Sequence, residues 1–322
     1  MICFTVENRF HSVTDGWIPA VNRQEVIFVH KHDVRQSIKS SLRMNLLDTI
    51  QPFYVMELLT RAKALEQAGH DVVHMEVGEP DFPTPPLVVN AGIEFLAKGE
   101  VKYTPAAGLP ALREAISRFY AQRYAIDVPA RRIFVTPGAS GAVLLALAGL
   151  IEHGGEVLLS DPGYPCYPNF VRLLGGEPCF APVGAESNYQ LDTATLERHW
   201  SPKAQGVVMA SPSNPTGTMA NSATLQGIAN FLDEKGGFWL SDEIYHGLVY
   251  GEPARSALEF SDQAFVVNSF EFAWRLLEEA HVAVTPGKDF GLNQPQRHLR
   301  FAYTASVERL AEGVKRIRDF AF

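Results

Sequence analysis

Gly206-Val-Val-Met209 runs into Ser211-Pro-Ser-Asn-Pro-Thr-Gly217, and Phe238-Trp-Leu240 runs into Ser241-Asp-Glu-Ile-Tyr245. Each is a short, almost wholly apolar run followed at once by residues that carry chemistry. A continuous apolar run of this length fits a strand buried on both faces, as in a parallel sheet. Working outward, Ile133-Phe-Val-Thr136, Glu156-Val-Leu-Leu159 and Ala264-Phe-Val-Val267 repeat the pattern. Helical stretches near 192–200 and 222–235 separate the later runs, another helix starts near Ser140, and an amphipathic helix runs from about Val55 to Ala68. Strands alternating with helices at this spacing imply an α/β fold, a three-layer domain with a mostly parallel sheet covered on both faces. In such sheets ligands bind at the carboxyl ends of the strands, so the residues just after each strand are the functional candidates.

Three of those positions stand out. Pro137-Gly-Ala-Ser-Gly141 is a small-residue turn into a helix, whose first N–H groups make a ready anion site; a plain helix cap at Ser140 is the alternative. The prolines around Asn214 fix the backbone and hold its amide at a strand end, unless the loop is only a structural turn. Asp242 places a carboxylate at a buried strand end, which is costly unless it meets a cation such as a protonated pyridine nitrogen. A solvated loop aspartate is the competing interpretation.

The 322 residues are 46% hydrophobic and 20% charged, with a net charge of -8 and a pI near 5.7. That balance excludes a nucleic-acid binder, which shows clustered excess Lys and Arg. Cys3, Cys166 and Cys179 have no CxxC spacing, so neither a disulfide framework nor a zinc or other metal site is expected. No apolar run approaches a membrane span; the longest, Ala142 to Ile151, is broken by Gly149 and is expected to be a core helix. A cytoplasmic protein is expected. Residues 1–43 carry one strand-like run, Val26-Ile-Phe-Val29, and no long periodic segment. They are taken as an extension ahead of a natural start at Met44, a docking arm being the alternative.

The ordered motifs resemble those of the class I/II aminotransferases of pyridoxal-phosphate fold type I. They are Gly78-Glu-Pro-Asp-Phe-Pro-Thr84, Tyr103-Thr-Pro-Ala-Ala-Gly108, Pro137-Gly-Ala-Ser140, Asp161-Pro-Gly-Tyr164, Ser211 to Gly217, Ser241 to Tyr245, Thr285 to Gly291 and Leu299 to Tyr303. The resemblance implies pyridoxal 5'-phosphate as cofactor, with amino acids and α-keto acids as small-molecule substrates. By that likeness Ala139 and Ser140 hold the phosphate, Tyr103 reaches the same group in the neighbouring subunit of a homodimer, and Tyr164 stacks on the ring. Asp242 keeps the ring nitrogen protonated, and Asn214 and Tyr245 bond its phenolic oxygen. Gly78 and Arg300 serve the substrate, Arg300 as the clamp for its α-carboxylate.

One departure decides what to expect of activity. The family places its Schiff-base lysine shortly after a strand ending like Val266-Val-Asn-Ser-Phe270, but this chain continues Glu271-Phe272-Ala273-Trp274-Arg275. Phe272 falls at the lysine position. The next residues are helical in pattern and lead straight into His281-Val-Ala-Val-Thr-Pro-Gly287, which resembles a passage far downstream in the family. From Met44 the chain is on the order of a hundred residues short of a usual member. The expected organisation is an extension over 1–43, an N-terminal arm and helix over 44–75, an incomplete cofactor-binding large domain over 76–270 and a small-domain remnant over 271–322. The expected function is an aminotransferase by family without the catalytic lysine. A non-catalytic cofactor- or partner-binding remnant, or a gene-deletion product, is the rival.

Overall fold

The computed structural model describes residue 50 and residues 54–75, 77–78, 84–99, 101–269, 282–286, 299–303 and 307–319. The run Val26–Val29 and position Phe272 lie outside these residues. In chain order the elements are α1 (Tyr54–Gln67), α2 (Pro86–Ala97), α3 (Pro110–Tyr124), α4 (Gly138–Leu150), β1 (Glu156–Asp161), α5 (Cys166–Leu173), β2 (Glu177–Pro182) and α6 (Thr193–His199). They continue with β3 (Ala204–Ala210), α7 (Ser222–Lys235), β4 (Phe238–Asp242), β5 (Phe265–Val267), β6 (Val282–Pro286), β7 (Leu299–Tyr303) and α8 (Val307–Asp319). Five strands form one sheet in the order β2-β1-β3-β4-β5, every neighbouring pair parallel. β6 and β7 form a separate antiparallel ribbon.

The apolar runs become interior strands because both faces of the sheet are covered. Val157, Leu159, Val208, Leu240 and Val267 pack on one face against Val143 and Leu147 of α4 and Tyr167 and Val171 of α5. Leu158, Val207, Met209 and Trp239 pack on the other against Leu196 of α6 and Leu225, Ile228 and Leu232 of α7. Burying each such aliphatic side chain contributes about 1.5–3 kcal/mol. The covering helices begin where the sequence supplies caps. Asp192 accepts from the Thr195 N–H at 2.8 Å ahead of α6, and Asn221 accepts from the Thr224 N–H at 2.9 Å ahead of α7. α7 stops at Gly236, whose φ of 65° suits glycine. No helix among the described residues is long and apolar enough to cross a membrane.

One strand expectation needs correction. Ile133–Thr136 is no part of the sheet. Its backbone groups are taken elsewhere: the Val135 N–H donates to the Ala107 carbonyl at 3.1 Å, and the Ile133 carbonyl accepts from Arg113 Nε at 2.8 Å. Phe134 is 63% exposed, so no second layer covers it. β2, conversely, lies at the sheet edge and was not expected from its sequence, Glu-Pro-Cys-Phe-Ala-Pro.

Gly108 clamps the 133–136 segment. Its φ is +96°, and an added Cβ would sit 2.6 Å from Val135 Cγ2. Gly108→Ala is therefore expected to lose about 2–4 kcal/mol in urea unfolding, from backbone strain plus overlap. Phe134→Ala is expected to change stability by less than about 0.5 kcal/mol. A large loss at Phe134 would mean that the segment packs as a buried strand after all.

Candidate active site

The strand order places a switch point between β1 and β3: the chain leaves β1 for β2 on one side, then returns to lay β3 on the other. Crevices outside the carboxyl ends of strands at such a point are where ligands bind in parallel sheets. A cavity of about 90 Å³ lies there, lined by Ala139, Ser140, Tyr164, Asn214, Asp242 and Tyr245 together with Val143, Tyr167, Phe170, Ala210 and Ile244. A single buried water needs only about 10–15 Å³, so this space has room for part of an organic ring.

Asp242 ends β4 and is 6% exposed. Its Oδ2 accepts from the Tyr167 hydroxyl at 2.5 Å, and its Oδ1 accepts from the Ile244 N–H at 3.2 Å. No cation among the described residues pairs with it, and burial pushes its carboxyl above the usual carboxylate range against the pull of these two donors. The alternative of a solvated loop aspartate is thereby excluded. Tyr167 was not foreseen. The only signal is its place in Tyr164-Pro-Cys-Tyr167, one helical turn beyond a candidate.

Asn214 is carried by a loop that its neighbours hold from several sides. The Ser213 N–H donates to the Thr218 carbonyl at 2.9 Å, the Gly217 N–H to the Ser213 carbonyl at 2.8 Å and the Ala220 N–H to Ser211 Oγ at 3.0 Å. Buried Gln190 braces the loop through Nε2 to the Thr218 carbonyl at 2.7 Å. Asn214 Nδ2 then stands 3.4 Å from the Tyr245 hydroxyl as its donor. Tyr164 follows β1, with its ring edge-on to that of Tyr167 at 5.2 Å between centroids, and burial pushes its phenol well above the ordinary value.

Helix α4 begins at Gly138 after Pro137, without a side-chain cap. Ser140 is the third residue of the helix and lines the cavity, so it is not the helix cap. The first-turn N–H groups of a helix have no partner within it, and Ala139 and Ser140 bring that turn to the cavity.

Two other sequence candidates stand apart. Gly78 is exposed, Tyr103 is fully exposed, and neither lines the cavity. Arg300 lies on β7, paired in register with Thr285 of β6.

Two buried ionisable residues that sequence inspection passed over flank this set. Glu243, 1% exposed, accepts at Oε1 from the Ala257 N–H at 2.7 Å and the Ser241 hydroxyl at 3.1 Å. Its Oε2 has no hydrogen-bond partner among the described residues. Burial pushes its carboxyl up from 4.5 to about 8, and burial holds the His246 imidazole down at about 4.

A carboxyl that binds its proton more tightly folded than unfolded stabilises most when protonated. Stability from Glu243 is thus full below its unfolded value of 4.5 and is lost as pH rises toward about 8. Urea unfolding across that window should show a decline of up to about 1.4 kcal/mol per pH unit from this group. Glu243→Gln should flatten it; an unchanged slope would mean that the carboxyl is already ionised in the folded protein.

The profile of the family described as "Aminotransferase class I and II" matches residues 70–271. The chain is 29% identical to a (5-formylfuran-3-yl)methyl phosphate transaminase of Methanocaldococcus jannaschii, in an alignment of 371 positions taking in 84% of this chain and 97% of that protein. It is 38% identical over 241 residues to a valine–pyruvate aminotransferase of Mycobacterium tuberculosis, covering 73% of this chain and 62% of that protein. A crystal structure of an aminotransferase from Mycobacterium tuberculosis superposes with a TM-score of 0.81 at 25% identity, over 86% of this chain and 98% of that one. In several further curated relatives the match likewise spans less than two thirds of their length, 58–59% in two of them. For the methanogen protein, 84% of 322 residues is about 270, so about a hundred of the 371 aligned positions hold no residue of this chain.

Proposed function

The chain belongs to the class I and II aminotransferase family, whose members use pyridoxal 5'-phosphate, and on that premise we propose that its strand-end cavity holds this cofactor while the chain lacks the amine that amino-group transfer requires. The observation that carries the first half is Asp242. A buried carboxyl with two donors and no cation is stabilised by a ligand that brings a protonated ring nitrogen. The rest of the lining fits the same group: a helix N-terminus for a phosphate, an aromatic ring at Tyr164, and the Asn214 amide and Tyr245 hydroxyl for a phenolic oxygen.

In this assignment Asp242 keeps the ring nitrogen protonated, and Ala139 and Ser140 hold the phosphate by backbone and hydroxyl donors. Tyr164 orients the ring, and Asn214 and Tyr245 donate to the phenolic oxygen. Gly78 and Arg300 would serve the substrate, Arg300 clamping its α-carboxylate. Tyr103 would reach the partner's phosphate in a cytoplasmic homodimer, in keeping with its full exposure in the single chain. When bound, the cofactor supplies an electron-accepting ring for bonds at the substrate's α-carbon. The protein must add an amine that moves a proton to and from that carbon.

That amine is what the chain lacks on this reading. Phe272 stands at the expected position, and no lysine among the described residues lines the cavity. The family match stops at residue 271, and the methanogen alignment needs about a hundred positions that this chain does not fill. Both support a shortened segment after Phe270, with residues 76–270 as the cofactor-binding domain, 44–75 as its arm, 271–322 as a small-domain remnant and 1–43 as an extension.

Purified protein should therefore take up pyridoxal 5'-phosphate reversibly, release it on dialysis and form no borohydride-stable adduct at a cavity residue. It should not transaminate common amino acid and α-keto acid pairs. Asp242→Ala should weaken cofactor binding about 30-fold or more, the scale of removing one partner of a buried charge pair. Turnover abolished by mutating one remaining lysine would overturn the inactive assignment. Binding unaffected by Asp242→Ala would overturn the placement of the cofactor.

A further inference from the structure

Every polar group of His246 is engaged, and the engagements join separate parts of the site. The residue is 3% exposed. Its N–H donates to the Glu243 carbonyl at 3.1 Å, closing the turn that carries Tyr245. Its carbonyl accepts from Arg123 Nη2 at 3.1 Å. Its Nε2 lies 2.9 Å from the Ser211 carbonyl oxygen, and its Nδ1 lies 2.8 Å from the Tyr124 hydroxyl and 3.6 Å from Glu243 Oε2. A carbonyl can only accept, so Nε2 carries the proton, and Nδ1 is then the acceptor for the Tyr124 hydroxyl.

Ser211 opens the loop that carries Asn214, and His246 immediately follows Tyr245. The Ser211 N–H also donates to the Asp242 carbonyl at 3.2 Å. The two loops are thus tied at Asp242 and again at His246, and the 3.4 Å approach of Asn214 Nδ2 to the Tyr245 hydroxyl is made between those loops. Resting on the assignment of the cavity to the cofactor, we propose that His246 is a positioning residue, whose Nε2–H bond to Ser211 sets Asn214 and Tyr245 as a matched donor pair for the ring's phenolic oxygen. Burial keeps the imidazole neutral, with Arg123 opposing and Glu259 favouring the charged form. The single proton of the neutral ring therefore has a fixed place.

The geometry separates the two conservative replacements. Glutamine puts an amide nitrogen where Nε2 stands and keeps the bond to Ser211. Asparagine reaches only to the Nδ1 position and loses it. The probe is pyridoxamine 5'-phosphate, which has no aldehyde and cannot attach to surface lysines. The His246→Gln variant should bind it within about 3-fold of the unmodified chain, and His246→Asn about 10-fold more weakly, the scale of one lost hydrogen bond. The phenol of the bound probe, followed by absorbance against pH, should titrate higher in His246→Asn and unchanged in His246→Gln. A merely structural role would lower Tm in both variants and leave that titration alone.

In the unmodified chain, a spectrum of 15N-labelled histidine near neutral pH should show His246 as the Nε2–H tautomer, a readout that needs no variant to fold. An Nδ1–H tautomer, or equal binding and equal phenol titration in the two variants, would overturn the role of His246. Failure of the unmodified chain to bind the probe would overturn the cofactor assignment itself.

Discussion

The carboxyl of Asp242 is buried at the end of an interior strand, and the geometry of the site follows from that. β4 lies between β3 and β5 and is covered by helices on both faces, so a side chain at its last residue has little access to water. An ionised carboxylate has about four acceptor positions, whereas the described protein supplies a hydroxyl and one N–H. The hydroxyl comes from Tyr167, which is in place because α5 packs Tyr167 and Val171 into the core over β1. Packing on one face thus delivers the donor that makes the burial tolerable. A ligand cation would complete what packing begins.

Strand alternation keeps this carboxyl apart from its neighbour. Leu240 belongs to the face under α4 and α5, and Trp239 to the face under α6 and α7. With a period of two, Asp242 follows Leu240 toward the cavity, while Ser241 and Glu243 point the other way. There Glu243 meets the Ala257 N–H and the Ser241 hydroxyl instead of a ligand. Two adjacent acids therefore have different environments. One lines the cavity; the other, its carboxyl pushed up by burial, joins the sheet to the turn at Ala257.

Much of this was legible in the sequence, for reasons that also explain the gaps. β1, β3 and β4 are continuous apolar runs because both of their faces are buried, and strand-end chemistry then singled out Asn214, Asp242 and Tyr245. β2 escaped because Pro178 and Pro182 disguise a strand; the edge of a sheet tolerates them, since half its backbone groups need no partner strand. Ile133–Thr136 has the composition of a strand, but the 106–107 turn and the Arg113 guanidinium take up its backbone. Tyr167 and His246 were missed because their partners, Asp242 and Ser211, lie 75 and 35 positions away. No local pattern encodes a contact of that span.

Long-range packing of the same kind supports the cavity. Neither apolar cluster that supports the cavity includes a described residue beyond Val267. Among the described residues, the elements that supply Ser140, Tyr164, Asn214 and Asp242 rest on contacts made before Phe270. β5 is left with β4 as its only described neighbour, and Phe265 is exposed on it. A cavity lined by aromatic rings, a helix N-terminus and a buried carboxyl is thus built from the sheet and its helices.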